Sequence, residues 1–339
     1  MSGEQRAHDL LLWFAGWLPD DIVTQCRWWL AAGQDELAVK VAAHTVHTLG
    51  LPLSPAQAAA LTAAHGEVAD EHPRIDDEPE PPYRFVRAPA DNDATAVDTA
   101  RGLPGFQALW AVWRIPAADL PWAAARRVYL LEVSDDDTAP RLAAHMQRIL
   151  LDVGEVSAQV EVFGPTVALP PYQTVALLDA AELAATTPAP PPRLAAVFDA
   201  PQDAAPFAVD RPRIESAEQR QRVLDYLDAG HCLLTVHDGE PDLVEPGRGE
   251  VVPVDLRTDG RWIWSDASAY YLRQYHLAPD SALLAHIGRQ RGRPVELSRL
   301  AWHRAMAALR EPEPDPIRDS GDAPGPGEPA GPSHRWDAR

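Results

Sequence analysis

Four residues whose types suit molecular recognition crowd one short stretch: Asp255, Arg257, Trp262 and Trp264. They flank Asp259-Gly260, a strong two-residue turn signal between β-rich runs. With that turn, Leu256 faces Ile263, Val254 faces Ser265, Arg257 faces Trp262 and Asp255 faces Trp264. Alternation puts Val254, Leu256 and Ile263 on the core side and the four recognition residues on the other. Trp and Arg dominate binding hot spots, so Asp255, Arg257, Trp262 and Trp264 form the candidate binding surface for a protein partner. Arg257 over Trp262 would add a cation–π pair worth roughly 0.5–1 kcal/mol. The competing reading covers the indoles with a following helix carrying Tyr270, Tyr271 and Tyr275, because two wet tryptophans are a heavy apolar load. A one-residue register change would exchange the faces.

Acids supply the second candidate chemistry. Asp135, Asp136 and Asp137 follow an apolar run of strand length, Val128 to Val133. There they can hold a cation or activate water, or simply cap the next helix, and capping explains them without a ligand. His237-Asp238 is a second acidic candidate for an enzyme of unrecognised type. Cys26, His44, His47 and His65 lie in the helical N-terminal piece, but their spacing matches no zinc signature, so no metal is expected. His231 and Cys232 are strand neighbours pointing to opposite faces, which makes them no dyad, and Cys232 reads as a packed core thiol. No Gly-rich phosphate loop, Gly-x-Ser-x-Gly elbow or His-Glu-x-x-His is present, so no cofactor and no catalytic residue is assigned.

The run Arg248-Gly249-Glu250-Val251-Val252-Pro253, then Arg257-Thr258-Asp259-Gly260-Arg261-Trp262-Ile263-Trp264, then Tyr270-Tyr271-Leu272 and Leu283-Leu284-Ala285-His286-Ile287 resembles a module of an uncharacterised actinobacterial protein family. Trp17-Leu18-Pro19-Asp20-Asp21 is more loosely similar. The resemblance implies a bacterial cytosolic setting and carries no catalytic residue.

These candidates need elements to hold them. Residues 1–66 predict a small helical bundle: Leu10, Leu11, Phe14, Trp17 and Leu18 form an apolar stripe, and Ser54-Pro55 opens a fourth helix that Gly66 closes. Residues 67–82 hold seven acids, one arginine and four prolines, an extended acidic linker. Residues 83–185 predict an α+β domain: strands at 128–133 and 156–163 around a helix at 139–153, a strand at 106–115, and a split-βαβ sandwich. Residues 186–192 are a Pro-rich joint. Residues 193–310 predict a second α+β domain containing the hairpin, with helices at 216–228, 266 onward, 280–289 and 296–309. Residues 311–339, rich in Pro, Gly and acids, predict a disordered tail.

Composition narrows the function. The 339 residues carry 50 acids against 30 bases, for a formal charge of −20. Phosphate binding needs many cations, which argues against nucleic acid. No apolar run reaches the ~18–20 residues of a membrane span, and no cationic leader begins the chain. Two distant cysteines suit a reducing cytoplasm. The linker and tail hold much of the excess charge, whereas 186–310 is nearly balanced, at 17 acids to 15 bases. The expected protein is therefore α+β, cytoplasmic and non-catalytic, an adaptor or immunity-type interaction module.

Overall fold

The N-terminal helices begin and end at sequence punctuation. Helix α1 (Gly3–Phe14) starts at Ser2, whose hydroxyl accepts the Gln5 amide at 3.0 Å. Helix α2 (Asp20–Ala31) follows Pro19. Helix α3 (Asp35–Leu49) ends at Gly50 with φ +60°, and α4 (Pro55–His65) opens with a capping box between Ser54 and Gln57. Leu10, Leu11, Phe14, Leu18, Cys26 and Val46 meet in one core. In this computed structural model the described residues are 2–66, 72–117, 124–199, 206–290 and 296–310. Part of the acidic linker, and the whole of the expected tail at 311–339, lie outside them.

The described part of the linker is pinned rather than simply extended. Leu53 pairs with Arg74, Leu53 N–H donates to Pro73 O at 2.9 Å, and Ser54 Oγ donates to Glu78 at 2.8 Å. Main-chain bonds, which like-charge repulsion does not oppose, fold this segment back on the turn before α4.

The first sheet holds β1 (Tyr83–Val86), β2 (Phe106–Pro116), β3 (Arg126–Val133), β4 (Gln159–Phe163) and β5 (Ala181–Ala185). Its order is β1-β2-β3-β4, and β5 pairs with β2 alongside β1. At 11 residues, β2 is long enough to take both partners, β1 at 113–116 and β5 at 108–111. Helices α5 (Asp93–Arg101) and α6 (Ala139–Asp152) cover one face, and α7 (Pro171–Asp179) covers the other.

Strands β3 and β4 are parallel neighbours, paired from Val128↔Gln159 to Glu132↔Phe163. The expected β-α-β stretch is present, but it is not split by an intervening strand. The free edge of β4 is occupied by the bundle instead. His8 Nε2–H donates to Val162 O at 2.8 Å, and Arg27 grips Glu161 at 2.7 Å.

The second sheet holds β6 (Arg193–Leu194), β7 (His231–Leu234), β10 (Leu256–Thr258) and β11 (Trp262–Ser265), in the order β6-β11-β10-β7. Between β7 and β10, β8 (Glu240–Pro241) pairs with β9 (Glu250–Val252). Helices α8 (Ala217–Asp228), α9 (Asp266–Tyr275) and α10 (Ser281–Arg289) pack around it. Helix α11 (Arg299–Arg310), expected near 296–309, returns to the first sheet. Its Arg304 pairs with Glu182 at 2.6 Å, and its His303 donates to Ala180 O at 3.2 Å. The molecule is thus a mixed α/β structure whose last described helix ties the second sheet to the first.

Candidate functional site

The hairpin keeps its expected faces, but its turn centres one residue further along, so each cross-strand partner shifts by two. Arg257 pairs with Trp264 and Thr258 with Ile263, so Gly260 and Arg261 sit at the tip. Side-chain bonds decide this register. Thr258 Oγ1 donates to Trp262 O at 2.6 Å, and Asp259 Oδ1 accepts from the amides of Arg261 and Trp262, both at 2.8 Å. Asp259 Oδ2 then accepts Tyr226 OH at 2.7 Å and His286 Nε2–H at 2.6 Å. Burial alone would raise the Asp259 carboxyl, but these hydrogen bonds hold it below its ordinary range. The Thr-Asp-Gly sequence is therefore a device for building and anchoring a turn.

The face carrying Asp255, Arg257, Trp262 and Trp264 is not a free surface. Trp262 is 5% exposed and Trp264 fully buried. They are covered not by the tyrosines of α9 but by α8 and α10: Trp264 Nε1–H donates to Leu227 O at 3.2 Å, and Tyr226 and His286 stack nearby. A Cβ at Gly230 would collide with the Trp264 indole, so that glycine lets β7 approach it. Arg257 pairs with Asp266 at 2.6 Å rather than with Trp262, and Arg193 takes the cation–π position, 4.4 Å from the ring. Asp255 accepts the Val236 amide at 2.8 Å. The two indoles of the expected recognition patch are core, their large apolar area removed from water, while Asp255 and Arg257 are half-buried and bound within the chain.

Open space lies elsewhere. A groove runs past the carboxyl ends of the parallel strands β3 and β4, where open α/β sheets commonly bind ligands. Its main lobe, about 730 Å³, lies between the two sheets and is lined by Glu132, Leu177, His231, Cys232, Arg299 and Trp302 among others. A second lobe of about 520 Å³ shares Glu132, Pro165 and Ser298 with it. A third, about 380 Å³, shares Val167 and Ala168 and reaches beneath α1. Both larger lobes fall within the ~300–1,000 Å³ range of ligand sites.

Glu132 is the pivotal polar residue. It is nearly buried at the end of β3, and burial holds its carboxyl above the ordinary range, although Arg299 pulls the other way. Arg299 donates to Glu132 at 3.1 Å, to Gly164 O at 3.3 Å and to Val167 O at 2.8 Å, with its guanidinium over the Phe163 ring. This one side chain fixes the loop after β4 to α11. Cys232, expected as a packed core thiol, is exposed in the main lobe, 3.4 Å from the Thr235 hydroxyl. Its strand, β7, is the edge strand of the second sheet. Cys26 is the buried cysteine, its thiol pushed up to about 12 by burial.

Asp135 caps only the 3-10 turn Asp136–Thr138, accepting the Asp137 amide at 3.1 Å; α6, which the acids were expected to cap, follows Thr138 without a side-chain cap. Asp136 takes the Thr166 hydroxyl and, with Asp137, lines the third lobe beside Asp9. His237 and Asp238 are exposed on the turn between β7 and β8 and line none of the three lobes. Among the described residues no cluster of three or more His, Cys, Asp or Glu is arranged to hold a metal ion. Sequence reasoning missed Glu132 and Arg299. The available signal was a single acid inside the apolar run Val-Tyr-Leu-Leu-Glu-Val, a pattern that requires a buried partner.

Searches against known protein families, curated proteins and solved structures find no match to the chain. Among the described residues no helix is long and apolar enough to cross a membrane.

Proposed function

We propose that this chain is a non-catalytic binding module, of adaptor or immunity type, whose recognition site is the groove between the two sheets rather than the Trp hairpin. The observation that supports it is the main lobe itself: an open cleft of about 730 Å³ at the ends of parallel strands, with Glu132 and Arg299 in its wall. The wall's strongest polar groups are locked to one another, which suits a rigid receptor: little side-chain entropy remains to be lost on binding. In this reading the bundle and first sheet form the receiving body, and residues 193–290 form the opposite wall. The partner is a protein segment or small molecule presenting an apolar group beside a hydrogen-bond donor. Nucleic acid and membrane are not the partners, and the setting is the bacterial cytoplasm.

The exposed Cys232 gives a direct test. A disulfide-tethering fragment library, read by intact mass, should give selective, reducible hits at Cys232 that compete with one another and weaken in Trp302→Ala. The control is Val209→Cys in a Cys232→Ser background, a thiol on a fully exposed site. Equal hit rates at both positions would sink the groove as a recognition site.

A second reading, an enzyme acting at the Asp135–Asp137 end, is favoured by one observation: burial raises the Asp9 carboxyl, and the charge of Asp136 pushes it the same way. A carboxyl raised by burial beside a second carboxyl group is a usual arrangement for acid–base work.

A further inference from the structure

We propose that the ribbon running from the end of β7 through β8 and β9, residues 234–251, is a docking surface for a basic amphipathic segment of a protein partner. Nearly half of the exposed large apolar side chains among the described residues lie in this stretch: Leu234, Val236, Leu243, Val244 and Val251. Single exposed aliphatics are ordinary on a protein surface, whereas a group of them marks a contact site. Main-chain pairing draws the last three together. Glu240 pairs with Val252 and Pro241 with Glu250, and the Asp242 amide donates to Gly249 O at 3.1 Å. Val252 is 1% exposed and packs against α9, so alternation turns Val251 outward, where it is 45% exposed.

The loop between β8 and β9 is not free to fold these side chains away. Asp242 is fully buried. Its carboxylate accepts the Tyr270 hydroxyl at 2.8 Å, the Tyr275 hydroxyl, and the amides of Val244 and Glu245 at 2.9 and 3.1 Å. The Leu243 amide donates to Tyr271 OH at 3.2 Å. The backbone of Leu243 and Val244 is thus tied to the three tyrosines of α9 while both side chains stay in water. An apolar surface held in place loses little conformational entropy when a partner covers it.

Charge decides the occupant. Asp238, Glu240, Glu245 and Glu250 are exposed around the apolar residues. The one arginine of the stretch, Arg248, is engaged by Glu245 at 3.8 Å and by Asp242 at 4.0 Å. A second copy of this chain would set these acids against themselves, and the acidic residues 311–339 carry the same wrong sign. Nucleic acid and anionic lipid are repelled for the same reason. A protein segment carrying Lys or Arg beside apolar side chains complements both features. No residue of the ribbon lines the groove, so this surface is separate from that site.

Fluorescence anisotropy on the full chain, at about 0.15 M salt, tests the assignment. The probe is a labelled synthetic peptide of leucine and lysine with one apolar and one cationic face; its control carries glutamate in place of lysine. Expected are saturable 1:1 binding of the lysine peptide and at least about tenfold weaker binding of the glutamate peptide. Leu243→Ser/Val244→Ser should weaken the lysine peptide about tenfold with unchanged circular dichroism. If that variant misfolds, Glu245→Gln/Glu250→Gln, which alters only exposed carboxylates, should still weaken it about threefold. Leu151→Ser, at an exposed site on α6, and Asp76→Asn/Asp77→Asn, in the acidic linker, should leave the affinity unchanged. No binding of the lysine peptide up to about 1 mM, unaltered affinity in the folded ribbon variants, an equal loss in the linker variant, or self-association of the chain through the ribbon overturns the inference. Tethering at Cys232 reports on the groove alone, so the two readings fail separately.

Discussion

Removing Glu161 should show whether the helical bundle and the first sheet fold as one body. Arg27 on α2 is 1% exposed and Glu161 on β4 fully buried. One guanidinium nitrogen reaches both carboxylate oxygens, at 2.8 and 2.7 Å, and Gln173 donates to the same carboxylate at 3.0 Å. Arg27 Nε and Nη1 are buried with no partner, so the arginine depends on Glu161 for its compensation. Glu161→Leu strands a charged guanidinium in the interior, which costs about 3–5 kcal/mol. At roughly 2–4 °C per kcal/mol for a body of this size, melting should fall by roughly 6–20 °C. The double variant Arg27→Met/Glu161→Leu replaces the pair with apolar atoms and should recover most of the loss. Urea unfolding followed by circular dichroism and tryptophan fluorescence provides both readouts. A single-variant cost below about 1 kcal/mol, or a bundle melting independently of the sheet, would refute the reasoning.

Three further outcomes are expected. Trp264→Ala should cost about 3–5 kcal/mol in chemical denaturation, because it empties a core site; a change under 1 kcal/mol would return the indole to the surface. His8 is buried and donates to Val162 O, and burial lowers its pKa from 6.5 to about 4. The folded state thus resists a proton that the unfolded state accepts, so stability is full above pH 6.5 and falls between pH 6.5 and 4, by up to roughly 3 kcal/mol. In His8→Gln that segment of the stability–pH curve should flatten. Alkylation of the native protein with iodoacetamide should label Cys232 and spare Cys26, whose thiol is buried and held near 12; equal labelling in a mass-spectrometric time course would contradict both placements.

Local signals were legible where one residue type has one strong use. Ser54 and Gln57 predict a capping box and make one; Gly50 predicts a helix stop and sits at φ +60°. The period-2 pattern around Val160 and Val162 predicts a strand, and both residues are core. The candidate site was less legible. Asp255, Arg257, Trp262 and Trp264 share a face as expected, yet alternation does not say whether a layer lies over that face. Here α8 and α10, neighbours in space from both sides of the sequence, cover it.

The sequence by itself determined the mixed α/β class, the helix ends, the hairpin and its two faces. These follow from backbone geometry and side-chain period, which act over a few residues. Only the tertiary structure decided which face is wet, that β4 is closed by the bundle through His8 and Arg27, and that α11 returns to the first sheet. It alone brought Glu132 to Arg299 across 167 positions, and so created the groove. Ion pairs and burial act through space, and a contact at that separation leaves no periodic trace in the chain; its local sign is one charged residue where an apolar one belongs.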